Sequence, residues 1–326
     1  MRITIFCRRD DEEFYYKKFG EQYGVELNLI DGAPTPESAY LAKGSRCISI
    51  ITTPISAQTL DALWNAGVRY ISTRTIGYDH IDTAYAKQIG MHVGNISYSP
   101  HSVADYTLML ILMAVRRVKS ICRHADVQNY RLAGMQGREL PNLTVGIVGT
   151  GRIGRMVIAR LTGFGCRMLA CSRHENADVK PFAQYVPLET LLRRSDVVTL
   201  HLPANADTYH LINAQTLSYM KPDALLVNTG RGSLVDTAAL IDALEQGKIG
   251  GAALDVIEHE VGLYYNDLQD KPLPNRELAL LRAFPNVIVT PHTAFYTDQA
   301  VSDMVENSIR SCIYFETGAA NPWQVV

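Results

Sequence analysis

The chain has 326 residues, 47% of them hydrophobic, with 31 basic and 33 acidic side chains and a formal net charge of −2. That length suggests about two domains with sizeable cores, and the near-balance of charge argues against nucleic acid or an anionic membrane as a partner. Cys7, Cys47, Cys122, Cys166, Cys171 and Cys312 lack CxxC or Cys/His spacing, so they read as reduced thiols, with neither a disulfide framework nor a metal site expected.

The N-terminal MRITIFCRRDDEE has no long apolar core and reads as a first strand rather than a signal peptide. Strand-like runs follow at Ile3 to Cys7, Val25 to Ile30, Cys47 to Ile51, Tyr70 to Ser72 and near Val93, alternating with helical stretches. One such helix, Ser56 to Ala66, has Ser56 as a plausible N-cap and Gly67 as its stop. This alternation implies a parallel sheet covered by helices on both faces. After Pro100, HSVADYTLMLILMAVRRVKS reads as one long helix capped by Ser102 or the residue before it, apolar over most of its circumference. Such a helix is buried between domains or subunits, which favours a dimer interface, or lies wholly in the core of the second domain. Its most apolar part, Tyr106 to Val115, is about half the length a bilayer requires, so no membrane segment is expected, while the reduced thiols read as those of a cytoplasmic protein.

From Leu143 the alternation resumes with six strands: Val145 to Val148, Met168 to Cys171, Val197 to Leu200, Ala224 to Asn228, Ala252 to Asp255 and Val287 to Thr290. Strands joined by crossover helices form a doubly wound sheet whose ligand lies outside the carboxyl ends of the strands. A last helix, about Thr297 to Glu316, is expected to return to the first domain. The expected fold is therefore α/β, with two doubly wound parallel-sheet domains. Residues 1–98 and 296–326 form a smaller, discontinuous, flavodoxin-like substrate domain, and residues 99–295 a dinucleotide-binding Rossmann domain.

The stretch LTVGIVGTGRIGRMVIARLTGFGCRMLACSR, Leu143 to Arg173, places strand, glycine turn, helix and strand within about 30 residues, the context a dinucleotide fingerprint requires. Gly149 permits the tight turn, Gly151 lets the backbone approach a pyrophosphate, and Gly154 lets the helix pack close to the strand. The free N–H groups and partial positive charge at the helix start then hold the pyrophosphate. An acidic residue about 20 positions past the glycines would bind the ribose hydroxyls of NAD; here that place holds Ser172 and Arg173. A guanidinium pairs well with a 2′-phosphate, which favours NADP(H). Alternatively Arg173 is a solvated surface charge, Glu175 takes the ribose, and NAD(H) is used.

Three strand ends in the second half carry polar groups that an apolar sheet does not need: Thr229-Gly230-Arg231-Gly232, then Asp255 with Glu258 and Glu260, then Thr290-Pro291-His292-Thr293. Reduction of a 2-oxo acid needs a cation to hold the carboxylate and polarise the ketone, a hydride donor, and an acid for the developing alkoxide. Arg231 suits the first role, its planar fork matching a carboxylate. His292 suits the acid, and Glu260 would orient it.

With these residues in view, the chain resembles the D-2-hydroxyacid dehydrogenase family over essentially its full length, especially the D-lactate dehydrogenases of the vancomycin-resistance type. The resemblance is carried by STRTIGYDHID (72–82), NISYSPHSVADYT (95–107), VGTGRIG (148–154), VNTGRGSLVD (227–236), GGAALDVIEHE (250–260) and TPHTAFYT (290–297). It implies that Arg231, Glu260 and His292 are the catalytic trio and that Asp255 lies beside the nicotinamide carboxamide. It also implies backbone contacts to the substrate carboxylate near Ile76 and Gly77 and a side-chain contact from Tyr98. Cofactor contacts are implied for Arg152, Ile153, Leu202, Pro203, Thr208, Thr229 and Gly230. His80, His201 and His210 are left with structural roles.

The expected activity is that of a D-specific reductase of pyruvate or a similar short 2-oxo acid, active as a homodimer and closing its domains to exclude water. The D stereochemistry, and a role in making D-lactate for altered cell-wall precursors, come from the resemblance alone. Lactate dehydrogenases of the family often place an aromatic residue where this chain has Ile55, so bulkier acids such as phenylpyruvate stay open. A nicotinamide-sensing binding protein without catalysis is the alternative from another class.

Overall fold

The computed structural model describes residues 1–326. In chain order the elements are β1 (Arg2–Ile5), α1 (Glu13–Tyr23), β2 (Glu26–Leu29), β3 (Cys47–Ile50), α2 (Ala57–Asn65), β4 (Tyr70–Thr73), α3 (Thr83–Gln88) and β5 (His92–Gly94). There follow α4 (His101–Val115), α5 (Val118–Asp126), β6 (Thr144–Val148), α6 (Arg152–Leu161), β7 (Arg167–Cys171), β8 (Gln184–Tyr185), α7 (Leu188–Arg194) and β9 (Val197–Leu200). The chain closes with α8 (Ala214–Leu217), β10 (Leu225–Asn228), α9 (Thr237–Glu245), β11 (Gly251–Leu254), α10 (Arg276–Ala283), β12 (Val287–Val289) and α11 (Asp298–Thr317). The chain divides into two compact units, residues 1–99 with 296–326 and residues 100–295.

The first unit holds a parallel five-stranded sheet of order β2-β1-β3-β4-β5. Its central strands CISI and YIST are buried at every position, as a sheet covered on both faces requires. Ser56 caps α2 by accepting from the Thr59 N–H, and Asp82 caps α3 through the Tyr85 N–H. Helix α11, capped by Thr297, packs on α1, β3 and β4. Beneath the carboxyl ends of β1, β3 and β4 lies a fully buried ion pair. Arg74 Nε meets Glu12 Oε1 at 3.0 Å, and both side chains are 0% exposed. The other two guanidinium nitrogens donate to Ser49 Oγ and to the carbonyls of Phe6 and Cys7, while the Tyr16 hydroxyl donates to Glu12. Every polar group in this cluster has a partner, the condition under which a buried pair is tolerated.

The second unit holds a parallel seven-stranded sheet of order β12-β11-β10-β9-β6-β7-β8. The six strands read from the sequence are joined by β8, whose two residues are too few to leave a periodic signal. The order reverses between β6 and β9, so a ligand crevice opens above those strand ends.

The apolar stretch after Pro100 departs from expectation in two ways. Pro100, not Ser102, occupies the N-cap position, and no side chain caps the helix. It also breaks in two, because Arg117 adopts a left-handed φ of 54° between α4 and α5. One face of α4, with Val103, Ala104, Thr107, Leu110 and Ile111, is buried against α6, β10 and β11, while Met109 on the other side is exposed. Helix α4 is thus a core helix on one face and open on the other. Lys119 then fastens α5 to the end of α10, its ammonium donating to the carbonyls of Arg282, Phe284 and Val287. No helix is long and apolar enough to cross a membrane. The six cysteines are all unpaired thiols, and no cluster of ligating side chains suits a metal.

Replacing Arg74 by Met leaves Glu12 buried with only the more distant Arg9 guanidinium, 3.8 Å away, as a cation. The expected cost is about 3–5 kcal/mol of unfolding free energy, measured as a fall in the urea midpoint. A loss below about 1 kcal/mol would mean that the pair does not hold the first unit together.

Candidate active site

The glycine turn after β6 is built around backbone contacts that exclude side chains. Gly149 has φ +97°, and a Cβ there would lie 2.4 Å from the His201 carbonyl oxygen; at Gly154 it would lie 2.0 Å from the Gly149 oxygen. Gly151 differs, because its Cβ would meet nothing within 4 Å. It is also the N-cap of α6 and supplies no capping side chain, whereas Asn213, Asp236 and Asn275 cap α8, α9 and α10 with theirs. The first turn of α6, with Arg152 and Ile153, therefore starts with no side chain capping its N–H groups, which fits a dinucleotide pyrophosphate.

The loops beside this turn carry the other expected contacts. Leu202, Pro203 and Thr208 lie on the segment after β9, where the Thr208 hydroxyl donates to the Pro203 carbonyl. Thr229 follows β10 and pairs with the Thr107 hydroxyl of α4 at 2.8 Å, and a Cβ on Gly230 would lie 3.4 Å from the carbonyls of Leu200 and Leu202. At the end of β7, Ser172 and Arg173 are followed by Glu175, which pairs with Lys180 at 2.8 Å. Arg173 is 76% exposed and reaches only Asp207, itself exposed, at 3.8 Å.

Glu260 and His292 come into direct contact, with His292 Nδ1 and Glu260 Oε1 2.6 Å apart. The histidine sits in a turn that Asp255 fixes. This aspartate is 0% exposed and accepts from the Thr290 hydroxyl and from the N–H groups of Thr293 and Ala294, at 2.6, 2.9 and 2.9 Å. The His292 N–H donates to the Asp255 carbonyl at 2.7 Å, and the Tyr265 hydroxyl to the His292 carbonyl at 2.8 Å. Held in this way, His292 takes a left-handed φ of 51°. Glu260 is aimed in turn by the Ile257 N–H, which donates to its second oxygen at 3.2 Å. Arg231 lies one strand over: its neighbour Gly232 packs so tightly on the next strand end that a Cβ would fall 2.0 Å from the Ile257 oxygen. The Arg231 carbonyl accepts from Asn228, and its guanidinium donates to the Gly230 carbonyl.

Other histidines have structural partners. His210 binds Glu258 at 2.7 Å, and Glu258 also accepts from the Thr237 N–H and hydroxyl. Burial alone would raise the Glu258 carboxyl, but these hydrogen bonds outweigh it and hold it below the usual carboxylate range. His201 meets the Thr199 hydroxyl beneath the glycine turn, and burial lowers its pKa to about 3, so it stays neutral. His80 meets Thr73 at 3.1 Å.

In the first unit, Ile76 and Gly77 lie on the loop after β4, and Tyr98 is on the segment after β5. Ile55 is 2% exposed, sits in the hydrophobic core and bridges Ile81. No local residue pattern signals that Asp255 clamps the histidine turn or that Tyr265 holds the His292 carbonyl. Both bonds join residues that only the fold brings together.

A dinucleotide cradle at a topological switch point, with a carboxylate–imidazole pair one side of it, defines a nicotinamide-dependent dehydrogenase. Comparison with known proteins agrees. The profile of the D-isomer specific 2-hydroxyacid dehydrogenase, NAD binding domain, matches residues 108–294. A D-specific alpha-keto acid dehydrogenase of Enterococcus faecium is 50% identical over 96% of this chain and 97% of its own length. An aromatic 2-oxoacid reductase of Clostridium sporogenes is 40% identical over 97% and 96%. The crystal structure of a D-lactate dehydrogenase from Treponema pallidum superposes with a TM-score of 0.89 at 33% identity, covering all of both chains. The chain belongs to the D-isomer specific 2-hydroxyacid dehydrogenase family and is an oxidoreductase acting on CH–OH with a nicotinamide cofactor.

The two kinds of glycine make separable predictions. Gly154→Ala forces backbone apart and is expected to cost about 1–3 kcal/mol of stability, seen as a lower Tm. Gly151→Ala meets open space, so Tm should hold while NADH affinity, measured by fluorescence titration, drops by about tenfold or more, or ~1.4 kcal/mol. Equal Tm losses in both variants would contradict the assignment of Gly151 to the cofactor.

Proposed function

We propose that this enzyme reduces a short 2-oxo acid, pyruvate first, to the D-2-hydroxy acid. The observation that carries the reading is the 2.6 Å contact between His292 Nδ1 and Glu260. With Nδ1 engaged, Nε2 is the ring atom left to face a substrate oxygen. From there His292 gives its proton to the carbonyl oxygen as that atom gains negative charge, and it is reprotonated from solvent. Glu260 orients the ring and balances the imidazolium charge. Arg231 pairs with the substrate carboxylate and polarises the ketone. Ile76 and Gly77 offer backbone amides to the same carboxylate, and Tyr98 a side-chain contact. A reduced nicotinamide, when bound, would supply the hydride, and Asp255 is the residue we assign to the neighbourhood of its carboxamide.

The cofactor preference we propose is NADP(H). It is supported by the absence of a carboxylate at Ser172, by an exposed Arg173 whose only ion pair is long and solvated, and by the commitment of Glu175 to Lys180. A homodimer is supported by the open side of α4 and by the exposed Val127, Tyr130 and Leu132 beyond α5. Six free thiols suit the cytoplasm. Supply of D-lactate for altered cell-wall precursors is the role we assign to the product. A second reading, reduction of bulkier acids such as phenylpyruvate, is favoured by Ile55, which is turned into the core and leaves no aromatic side chain from that loop to limit substrate size.

Steady-state kinetics with NADH and NADPH against pyruvate, 2-oxobutyrate and phenylpyruvate test these points together. The expected result is turnover of pyruvate with a higher kcat/KM for NADPH than for NADH. Arg231→Gln should raise the pyruvate KM and lower kcat together, because it acts on both binding and polarisation. A wild-type protein that oxidises neither cofactor with any 2-oxo acid would sink the reading.

A further inference from the structure

The loop after β4 is organised by its carbonyls. The Thr75 carbonyl accepts from the Ile96 N–H at 3.1 Å, the Ile76 carbonyl from Asn95 Nδ2 at 2.8 Å, and the Gly77 carbonyl from the Thr75 hydroxyl at 2.6 Å. Three successive carbonyls are thus turned inward, each onto a donor of the protein. The N–H groups of Ile76 and Gly77 donate to no acceptor in the chain. Both residues are partly exposed, and Arg74, two positions before Ile76, is welded into the buried cluster with Glu12. The loop cannot easily rotate its peptides, because its start is anchored by Arg74 and its other end by the bond from the Ile55 N–H to the His80 carbonyl.

Of the three donors, Asn95 is the one side chain that comes from a different strand end. Gly94, the last residue of β5, pairs in register with Ser72 of β4, so Asn95 emerges beside the loop. Its own backbone N–H is bound to the Trp323 carbonyl at 3.0 Å, which fixes the side chain's base. The carbonyl it binds belongs to the same peptide group as the Gly77 N–H. A hydrogen bond accepted by a peptide oxygen polarises that peptide and strengthens the bond its N–H can donate.

We propose that Asn95 is a positioning residue for carboxylate recognition: it orients and polarises the Ile76–Gly77 peptide so that the Gly77 N–H binds the carboxylate of the 2-oxo acid. This rests on the proposed reduction of 2-oxo acids and adds a residue that acts through the backbone without touching substrate. The effect belongs to substrate binding, not to proton or hydride transfer.

The test compares Asn95→Ala with Asn95→Asp, which keeps the size and shape of the side chain while removing the donor. In both, the pyruvate KM and the inhibition constant of oxamate, a carboxylate that is not reduced, are expected to rise together by about tenfold. The kcat should stay within about twofold of wild type, with NADPH affinity and Tm unchanged. Asn95→Asp should lose at least as much as Asn95→Ala, because it sets a carboxylate against a carbonyl. Unchanged KM and oxamate inhibition in either variant would overturn the proposal, as would recovery of both constants in Asn95→Asp, since shape alone would then suffice. A fall in kcat at constant KM would overturn it equally. Wild-type protein inactive towards every 2-oxo acid would instead remove the functional reading on which the proposal stands.

Discussion

The buried carboxylate of Asp255 is the constraint on which the chemistry of the second unit depends. A carboxylate removed from water is costly unless hydrogen bonds replace its hydration, and here three donors do so, all from the segment Thr290–Ala294. Its backbone carbonyl takes a fourth bond, from His292 itself. Together these impose a left-handed backbone on a residue other than glycine, at a cost of roughly 1–2 kcal/mol. The consequence is directional. The imidazole leaves the turn at a fixed angle, with Nδ1 against Glu260 and the opposite nitrogen turned away from it.

The same economy of backbone contacts runs through the cofactor cradle. Gly149, Gly154 and Gly232 are sites where a single methyl group would strike a carbonyl oxygen at 2.0–2.4 Å. These close approaches draw the turn after β6 and the loops after β9, β10 and β11 onto one another. Gly151 differs from these three, since a Cβ there would meet nothing within 4 Å. The first unit solves a parallel problem with side chains, using the sealed Arg74–Glu12 pair as the floor under its own strand ends.

Much of this was legible in the sequence because it is local. The glycine spacing, the apolar runs of the parallel strands and the polar residues at Arg231, Asp255, Glu260 and His292 each lie within a few positions of a strand end, and the family motifs repeat them in order. What escaped notice depends on contacts between distant segments or on very short elements. The two residues of β8 carry no period. The break at Arg117 is hidden because nothing in an apolar stretch marks a left-handed arginine, and the one-sided burial of α4 follows from what packs against it. The cap at Pro100 runs against local preference, because Ser102 is the better intrinsic capping residue. The aim of Asp255, the bond from Tyr265 and the hold of Asn95 on Ile76 link residues 19 or more positions apart.

The central claim is that the histidine held by Asp255 and Glu260 protonates the substrate while taking no part in holding the cofactor. Rapid mixing of pyruvate with enzyme already loaded with reduced cofactor, followed by nicotinamide absorbance, addresses it directly in wild type and His292→Ala. The account predicts equal cofactor affinity in the two proteins and a decay slower by about 100- to 10,000-fold in the variant. A decay at the wild-type rate would contradict it.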